Sequence, residues 1–402
     1  QETLERRGAE HLEQLLNLAP NVNFSSGASR GRFVLIRGIG ERSQFVEPIN
    51  PSVGLIIDGM DFTGIGGAAS TLDIRQVEIL RGPQGTLFGA NALAGLVNMV
   101  SNDPGDEANG YAGLRVGNYG RLVATAAWGG PLSDNVGGRL AVQSNSNDGY
   151  MDNVYLNQST NDIDEFTARG KLHWQSGDDF SLDFTLLYSD VDNGYDAFSL
   201  DNTRTTYSDE PGHDTLESLA VALNANWQLN GALSLEALLS RVDADTRYGY
   251  DEDWSHPGIC EGTACDTNLW GFDWWYASTD NYLRHNSNTT VDVRLVSNSG
   301  AGEAAWVAGF YFRSQEQSLV REYTYASGDF ESDYDTENLA VYSQLDLPLS
   351  RDWTFIAGLR YETRDWDYGD NVADDSRALD GEDFWGGKMA LEYLTSQSTL
   401  LY

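Results

Sequence analysis

Long apolar runs are missing from this 402-residue sequence. None approaches the roughly 18–20 residues that a spanning helix needs, which excludes a helical membrane protein. Basic residues are scarce: 25 Lys and Arg stand against 61 Asp and Glu, a formal charge of −36. Nucleic-acid binders cluster Lys and Arg to meet phosphate, so no nucleic-acid partner is expected. The surplus acid reads as a surface suited to a saline habitat or to solubility, with cation binding by outer loops as the alternative. Histidines number five, and none clusters with carboxylates at ligand spacing. Catalysis therefore has no candidate residue, and neither a metal site nor a resident cofactor is expected. Only two cysteines occur, Cys260 and Cys265. CEGTAC lacks the C-x-x-C spacing of a metal site with His256, and reads as a disulfide closing a local loop in an oxidising compartment. The opening QETLERRGAE has neither a basic start nor an apolar core, so any signal peptide is expected upstream or already removed.

What is present changes character near residue 105. Before it, Gly and short aliphatic runs dominate. Leu12, Leu15 and Leu16 at helical spacing, followed by Pro20, predict a helix over 8–18. RFVLIRGIG (32–40), VGLIIDGM (53–60) and VEIL (77–80) predict short strands, with Asp58-Gly59 as a tight turn. This first unit, 1–105, reads as a small mixed α/β domain.

From residue 110 onward apolar and polar residues alternate. GYAGLRVGN, RLVATAAWGG, GRLAVQSNS, FTARGKLHWQ, SLDFTLLYSD, LAVALNANWQL, LSLEALLSRV, TTVDVRLVS, AAWVAGFYFRS, LAVYSQLDL, WTFIAGLRYE and GKMALEYLT give about twelve strands. Each holds about 9–12 residues, enough to cross a bilayer when tilted. Short turns mostly alternate with long polar connections at 146–165, 192–217, 249–286, 316–337 and 368–383. Aromatics recur near strand ends at Trp128, Trp174, Tyr188, Trp227, Trp306, Trp353 and Tyr361. Short turns on one rim, long loops on the other and an aromatic girdle predict a transmembrane antiparallel β-barrel over 106–402. A soluble β-sandwich or β-helix is the alternative, and neither has reason to alternate its loops this way.

One uncharged, glycine-punctuated stretch then becomes recognisable. VEILRGPQGTLFGANALAGLVNMVSNDP resembles the end of the plug domain of TonB-dependent outer-membrane receptors, and LLNLAPNVNF, FVLIRGIG and VGLIIDGM resemble its earlier blocks in the right order. Asn91 and Ala94 depart from the commoner residues at their positions. The resemblance implies a barrel of about 22 strands with the plug in its lumen, of which about twelve or thirteen fall within this chain. STLLY at the end makes an odd thirteenth, so further strands, and an upstream segment that contacts TonB, are expected outside it. It implies TonB-driven uptake of a scarce ligand across the bacterial outer membrane, most often a ferric siderophore, and no enzymatic activity. The partners implied are TonB, outer-membrane lipid and a small-molecule metal chelate. Another bulky solute (a cobalamin, haem or glycan), or a passive porin-like or adhesin barrel, is the alternative.

Residue roles follow. Gly82, Gly85, Gly89 and Gly95 should let the plug chain turn sharply and approach the wall, since backbone enclosed in a barrel cannot stay unpaired. The resemblance gives Arg37 and Arg81, with Glu78 beside them, as ion pairs between plug and wall. It also places Arg42, Gln44 and Phe45, then Asp61, Phe62 and Thr63, nearest the ligand. The sequence itself adds a long loop packed with Trp254, Trp270, Trp274, Trp275 and Tyr276, which either binds ligand or folds on itself as a lid. GASRG (27–31) fits the G-x-S-x-G hydrolase pattern but lies between a helix and a strand, so it is read as chance. GPQGTLFGA lacks the Lys and Ser/Thr of a phosphate loop.

Overall fold

The computed structural model describes residues 6–41, 52–82, 93–200, 202–259, 277–300, 302–372, 377–396 and 399–401. Residues 6–7 are helical, and a short helical turn, α1 (Glu13–Leu16), follows. The helix expected over 8–18 is cut short because the backbone before it is engaged elsewhere: Leu12 N–H donates to Ala69 O at 2.9 Å, and Thr71 N–H donates to Glu10 O at 3.0 Å. β1 (Val22–Ser25) and β2 (Phe33–Ile36) then form a hairpin. β3 (Val53–Ile57), β4 (Met60–Asp61), β5 (Ile74–Arg81) and β6 (Gly95–Ser101) form a four-stranded sheet ordered β4-β3-β6-β5. The β3–β4 turn is the expected Asp58-Gly59 pair, with both residues at positive φ, +49° and +84°. Gly82 also has positive φ, +90°. At Gly95 the requirement is space: a Cβ there would lie 2.3 Å from Leu80 O. That close approach is to the domain's own β5 rather than to the wall.

Thirteen strands make one continuous antiparallel sheet. It starts with β7 (Asn109–Val116), β8 (Leu122–Ser133) and β9 (Val136–Asn147). A small loop sheet of β10 (Met151–Asn153) and β11 (Gln158–Thr160) intervenes before β12 (Ile163–Ser176) and β13 (Phe180–Tyr195). β14 (Thr205–Thr206) joins the loop sheet. The wall continues with β15 (Gly212–Asn230), β16 (Leu233–Asp251), β17 (Thr279–Ser297), β18 (Ala305–Tyr323), β19 (Phe330–Pro348), β20 (Trp353–Asp370), β21 (Arg377–Ser396) and β22 (Thr399–Leu401). Each of the twelve alternating segments maps onto its own strand, give or take a residue or two at the ends, and STLLY contributes the thirteenth. β7 and β22 form the two margins of the sheet.

The strands are longer than their alternation announced. From β15 to β19 each holds 19 residues, a length of roughly 60 Å at about 3.3 Å per residue. Part of each expected long connection is therefore strand. Alternation fades there because both faces meet polar surroundings once the strand has left the apolar band, which is only about 25 Å tall. The indoles of Trp128, Trp174, Trp227, Trp306 and Trp353 are exposed on the sheet near the short-turn rim. Trp353 stacks on Tyr393 with ring centroids 4.5 Å apart. Tyr188 and Tyr361 lie toward the long-loop half, where their hydroxyls donate to Glu217 and Asp383.

The N-terminal domain and the wall share one core. Ile36, Ile57, Met60, Phe62, Ile74, Val97 and Met99 pack in the same buried cluster as Leu187, Leu216, Ala220, Ala222, Val242 and Ala244 of β13, β15 and β16. Small inward residues at 220, 222 and 244 give the enclosed domain room to seat, and burial of the shared apolar area holds it there.

Candidate functional site

Around that core, a ring of ion pairs crosses from the inner domain to the wall. Arg30 donates from Nε and Nη2 to the two oxygens of Glu165 on β12 at 2.5 and 2.7 Å, and from Nη1 to Glu13 at 3.0 Å. Arg32 pairs with Asp214 on β15, which also accepts the backbone N–H and hydroxyl of Ser29 at 2.8 and 2.6 Å. Asp73 receives Arg139 of β9 through two bonds of 2.6 Å. Asp58 faces Arg169 and Lys171 of β12 at 3.2 and 3.3 Å, and Asp61 faces Arg313 of β18 at 3.2 Å. Glu10 pairs with Arg115 and Arg121. Burial alone would raise the Asp58 carboxyl; the two cations and the Ser101 hydrogen bonds outweigh it and hold it below the usual 3.8. These pairs take their charges out of water, so losing one partner strands the other.

Above the ring, toward the long loops, the lumen is lined by aromatics and guanidinium groups. Tyr195, Tyr248, Tyr282 and Leu319 form a buried cluster with Tyr250, Phe330 and, from the inner domain, Ala28. Asp280 organises it, taking a bidentate pair of 2.8 Å bonds from Arg321 and the Tyr282 hydroxyl at 3.0 Å. Arg284 and Arg321 lie over the Tyr282 ring at 5.1 and 5.2 Å, and Arg32 over Tyr248 at 5.7 Å. Cations held against π faces keep their charge with little mobility. The 26–32 loop thus forms the floor of a cup that suits planar, electron-rich or anionic groups.

A second space lies between the two units on the short-turn side. It is a cavity of about 590 Å³ lined by Asp58, Asp61, Lys171, Glu236, Asp292 and Arg294 among others. No helix among the described residues is long and apolar enough to cross a membrane.

Residues 1–96 match the family model described as the TonB-dependent receptor plug domain. Over those residues the chain carries that plug domain. The wall shares its fold with the β-barrel walls of solved outer-membrane receptors. Among its relatives, the pesticin receptor of Yersinia enterocolitica is 30% identical over 123 residues, covering 30% of this chain and 18% of its own. The ferrioxamine B receptor of Salmonella typhimurium strain SL1344 is 25% identical over 198 residues, covering 47% and 26%. The structure of the ferric yersiniabactin uptake receptor FyuA from Yersinia pestis superposes with a TM-score of 0.81 at 18% identity, over 98% of this chain and 61% of that one. The chain therefore spans less than two thirds of the relatives it matches.

The plug residues named from the resemblance sit differently from their expected roles. Arg37 and Arg81 are exposed, and among the described residues neither meets a wall carboxylate. Glu78 instead accepts hydrogen bonds from Gln76 and Asn98 at 2.7 and 3.1 Å. Phe62, expected at the ligand, is fully enclosed in the shared core, where apolar burial holds it. Thr63 is also buried and accepts the Leu55 N–H at 3.0 Å, while Asp61 is engaged by Arg313. Trp254 lies at the long-loop end, stacked on Phe198 at 4.9 Å. Arg42, Gln44, Phe45, Gly85, Gly89, Cys260, Cys265, Trp270, Trp274, Trp275 and Tyr276 lie outside the described residues.

GASRG, set aside as a chance match, supplies Ser29 and Arg30 to the seating ring. Wall parity could have found their kind of partner. Arg139, Arg169 and Arg313 all occupy inward positions of alternating strands, where a buried cation needs an anion opposite.

Proposed function

We propose that this receptor takes up a scarce ferric siderophore across the outer membrane, with TonB supplying the energy. The arginine- and tyrosine-lined cup above a plug held by ion pairs carries the reading. Ferric siderophores present anionic oxygen donors and often planar rings, which suit Arg284, Arg321, Tyr248 and Tyr282. Ligand would bind in the cup from outside, and force applied through TonB would loosen the ring around Arg30, Arg32, Asp58, Asp61 and Asp73. Discrete ion pairs can break and re-form one at a time, which the shared apolar core cannot do. Residues 1–105 would act as the plug unit and 106–402 as wall. No bond-making chemistry is assigned to the chain, and no resident cofactor.

The test is growth and radiolabelled iron uptake in a receptor-deficient strain carrying the full-length gene, with and without an energised membrane, over a panel of ferric siderophores. Energy-dependent uptake of one siderophore, weakened at least ~10-fold by Arg321→Ala, is expected from the loss of a charge-assisted contact. Correct localisation with no uptake of any of them would sink the iron assignment and favour a vitamin or glycan ligand.

A further inference from the structure

The arginines of β17–β20 are sorted by face. Arg284, Arg294, Arg313, Arg321, Arg360 and Arg364 all occupy lumen-facing positions of the register, and these four strands hold no other Lys or Arg. Outward positions of β19 and β20 carry acids instead, among them Glu331, Asp333, Glu337 and Asp365. From the cup toward the short turns, Arg321 and Arg284 give way to a cross-strand row joining Arg313 to Arg364 through Asn338. A second row joins Arg294 to Arg360 through Gly309 and Tyr342. It lies four residues further along each strand, roughly 13 Å at about 3.3 Å per residue.

Arg360 has unused donors. Its side chain is 5% exposed, and its Nε–H donates to Glu362 at 2.7 Å, which Asn338 also holds at 2.7 Å. Nη1 and Nη2 are enclosed and, among the described residues, have no hydrogen-bond partner. The N–H groups on both nitrogens therefore lack acceptors, a costly arrangement for a buried guanidinium unless oxygens are supplied there. Cζ lies over the Tyr311 and Tyr342 rings at 4.9 and 5.8 Å. Tyr311 also lines the cavity of about 590 Å³, and the Thr290 hydroxyl in the same lining is likewise buried without a partner. Arg313, by contrast, meets a carboxylate of the inner domain, Asp61 on β4, at 3.2 Å. That anion leaves whenever the plug moves.

We propose that Arg313 and Arg360 form a second anion site, below the cup, which takes anionic oxygens of the departing ligand. Asp61 holds the place of those oxygens on Arg313 while the plug is seated. Its withdrawal bares the guanidinium next along the wall from the cup, so the lumen face of β17–β20 becomes the exit sector. That the occupant is a chelate rests on the uptake reading; that it is an anion rests on the arginines.

The test places a thiol between the two arginines, by Ala340→Cys in the full-length receptor carrying Cys260→Ser and Cys265→Ser. Ala340 is buried on the lumen face, paired across strands with Tyr311 and Glu362. Two methanethiosulfonates, one bearing a sulfonate and one a trimethylammonium group, are reacted in low salt, each rate being divided by that with free mercaptoethanol. Urea that strips hydrogen-exchange protection from the plug, but not from the wall, displaces Asp61. With the plug seated both reagents should react slowly. With it displaced, the sulfonate should be favoured by about tenfold, and Arg360→Gln should remove most of that preference while Arg360→Lys keeps it. Should Arg360→Gln fail to fold, Arg313→Gln decides, because its partner Asp61 leaves with the plug. No preference, a preference for the cationic reagent, or a sulfonate preference unchanged by the Gln variants would overturn the site whichever ligand is carried. A sulfonate preference lost in those variants, in a receptor that takes up no siderophore, would retire the iron reading and uphold the site for another anionic solute.

Discussion

His11 shows how one side chain is fixed by its surroundings. Its Nε2–H donates to Gly66 O at 3.0 Å, while Nδ1 accepts the Glu13 N–H at 3.3 Å. Both bonds need the neutral ring. Burial, then Arg30, lowers its pKa from 6.5. A lowered folded pKa means that the unfolded chain takes up the proton first, so plug stability should be fully present above 6.5 and fall with pH below it. Hydrogen-exchange protection of the plug followed from neutral to mildly acid pH should show that decline, and His11→Gln should flatten it. An unchanged slope in the variant would remove His11 as its cause. Asp58 has the same sign in a lower window: its folded pKa is depressed, so its contribution persists above 3.8 and disappears only as pH falls through the lowered value. At Arg30 the stake is larger. Arg30→Ala strands Glu165, and a buried pair broken on one side costs about 3–5 kcal/mol. Urea midpoints for plug release, compared with Arg30→Ala/Glu165→Gln, should show the double variant recovering part of that loss. If the losses simply added, the two residues would not be acting as a pair.

At the scale of strands, the outer surface above the apolar band carries like charges in register. Glu217 stands opposite Asp190 on one side and Asp245 on the other. Glu316 faces Asp335, which faces Asp367, and Glu337 faces Asp365. Such pairs repel, and at these exposed positions salt screens them. Thermal unfolding of the purified protein should therefore move upward when NaCl is raised from about 10 mM to about 500 mM, and Asp335→Asn should reduce the gain. A midpoint that falls with salt would show that the ring around the plug dominates instead.

The same strands explain what could be read in advance. LAVYSQLDL and WTFIAGLRYE could be recognised because lipid on one face and lumen on the other impose strict alternation. Their continuations, such as Glu331–Asn338, face polar surroundings on both sides and looked like loop. The ring was hidden for another reason: Arg32 and Asp214 lie 182 residues apart, and nothing in either neighbourhood names the other. Motif blocks point to Arg37 and Arg81, whereas seating selects the side chains that point outward from the plug at wall height.

Taken whole, the molecule is an inner domain clasped by a curved sheet, and the proposed uptake rests on that clasp being releasable. The ring also bears on how the molecule is put together. Its contacts reach β7, the turn before β8, β9, β12, β15 and β18, with Glu10 bonded to a residue 111 positions away and Arg30 to one 135 away. Contacts of such long range are slow to find from an open chain. The plug, synthesised first and tied most often to the earliest strands, can act as a mandrel around which the sheet curls.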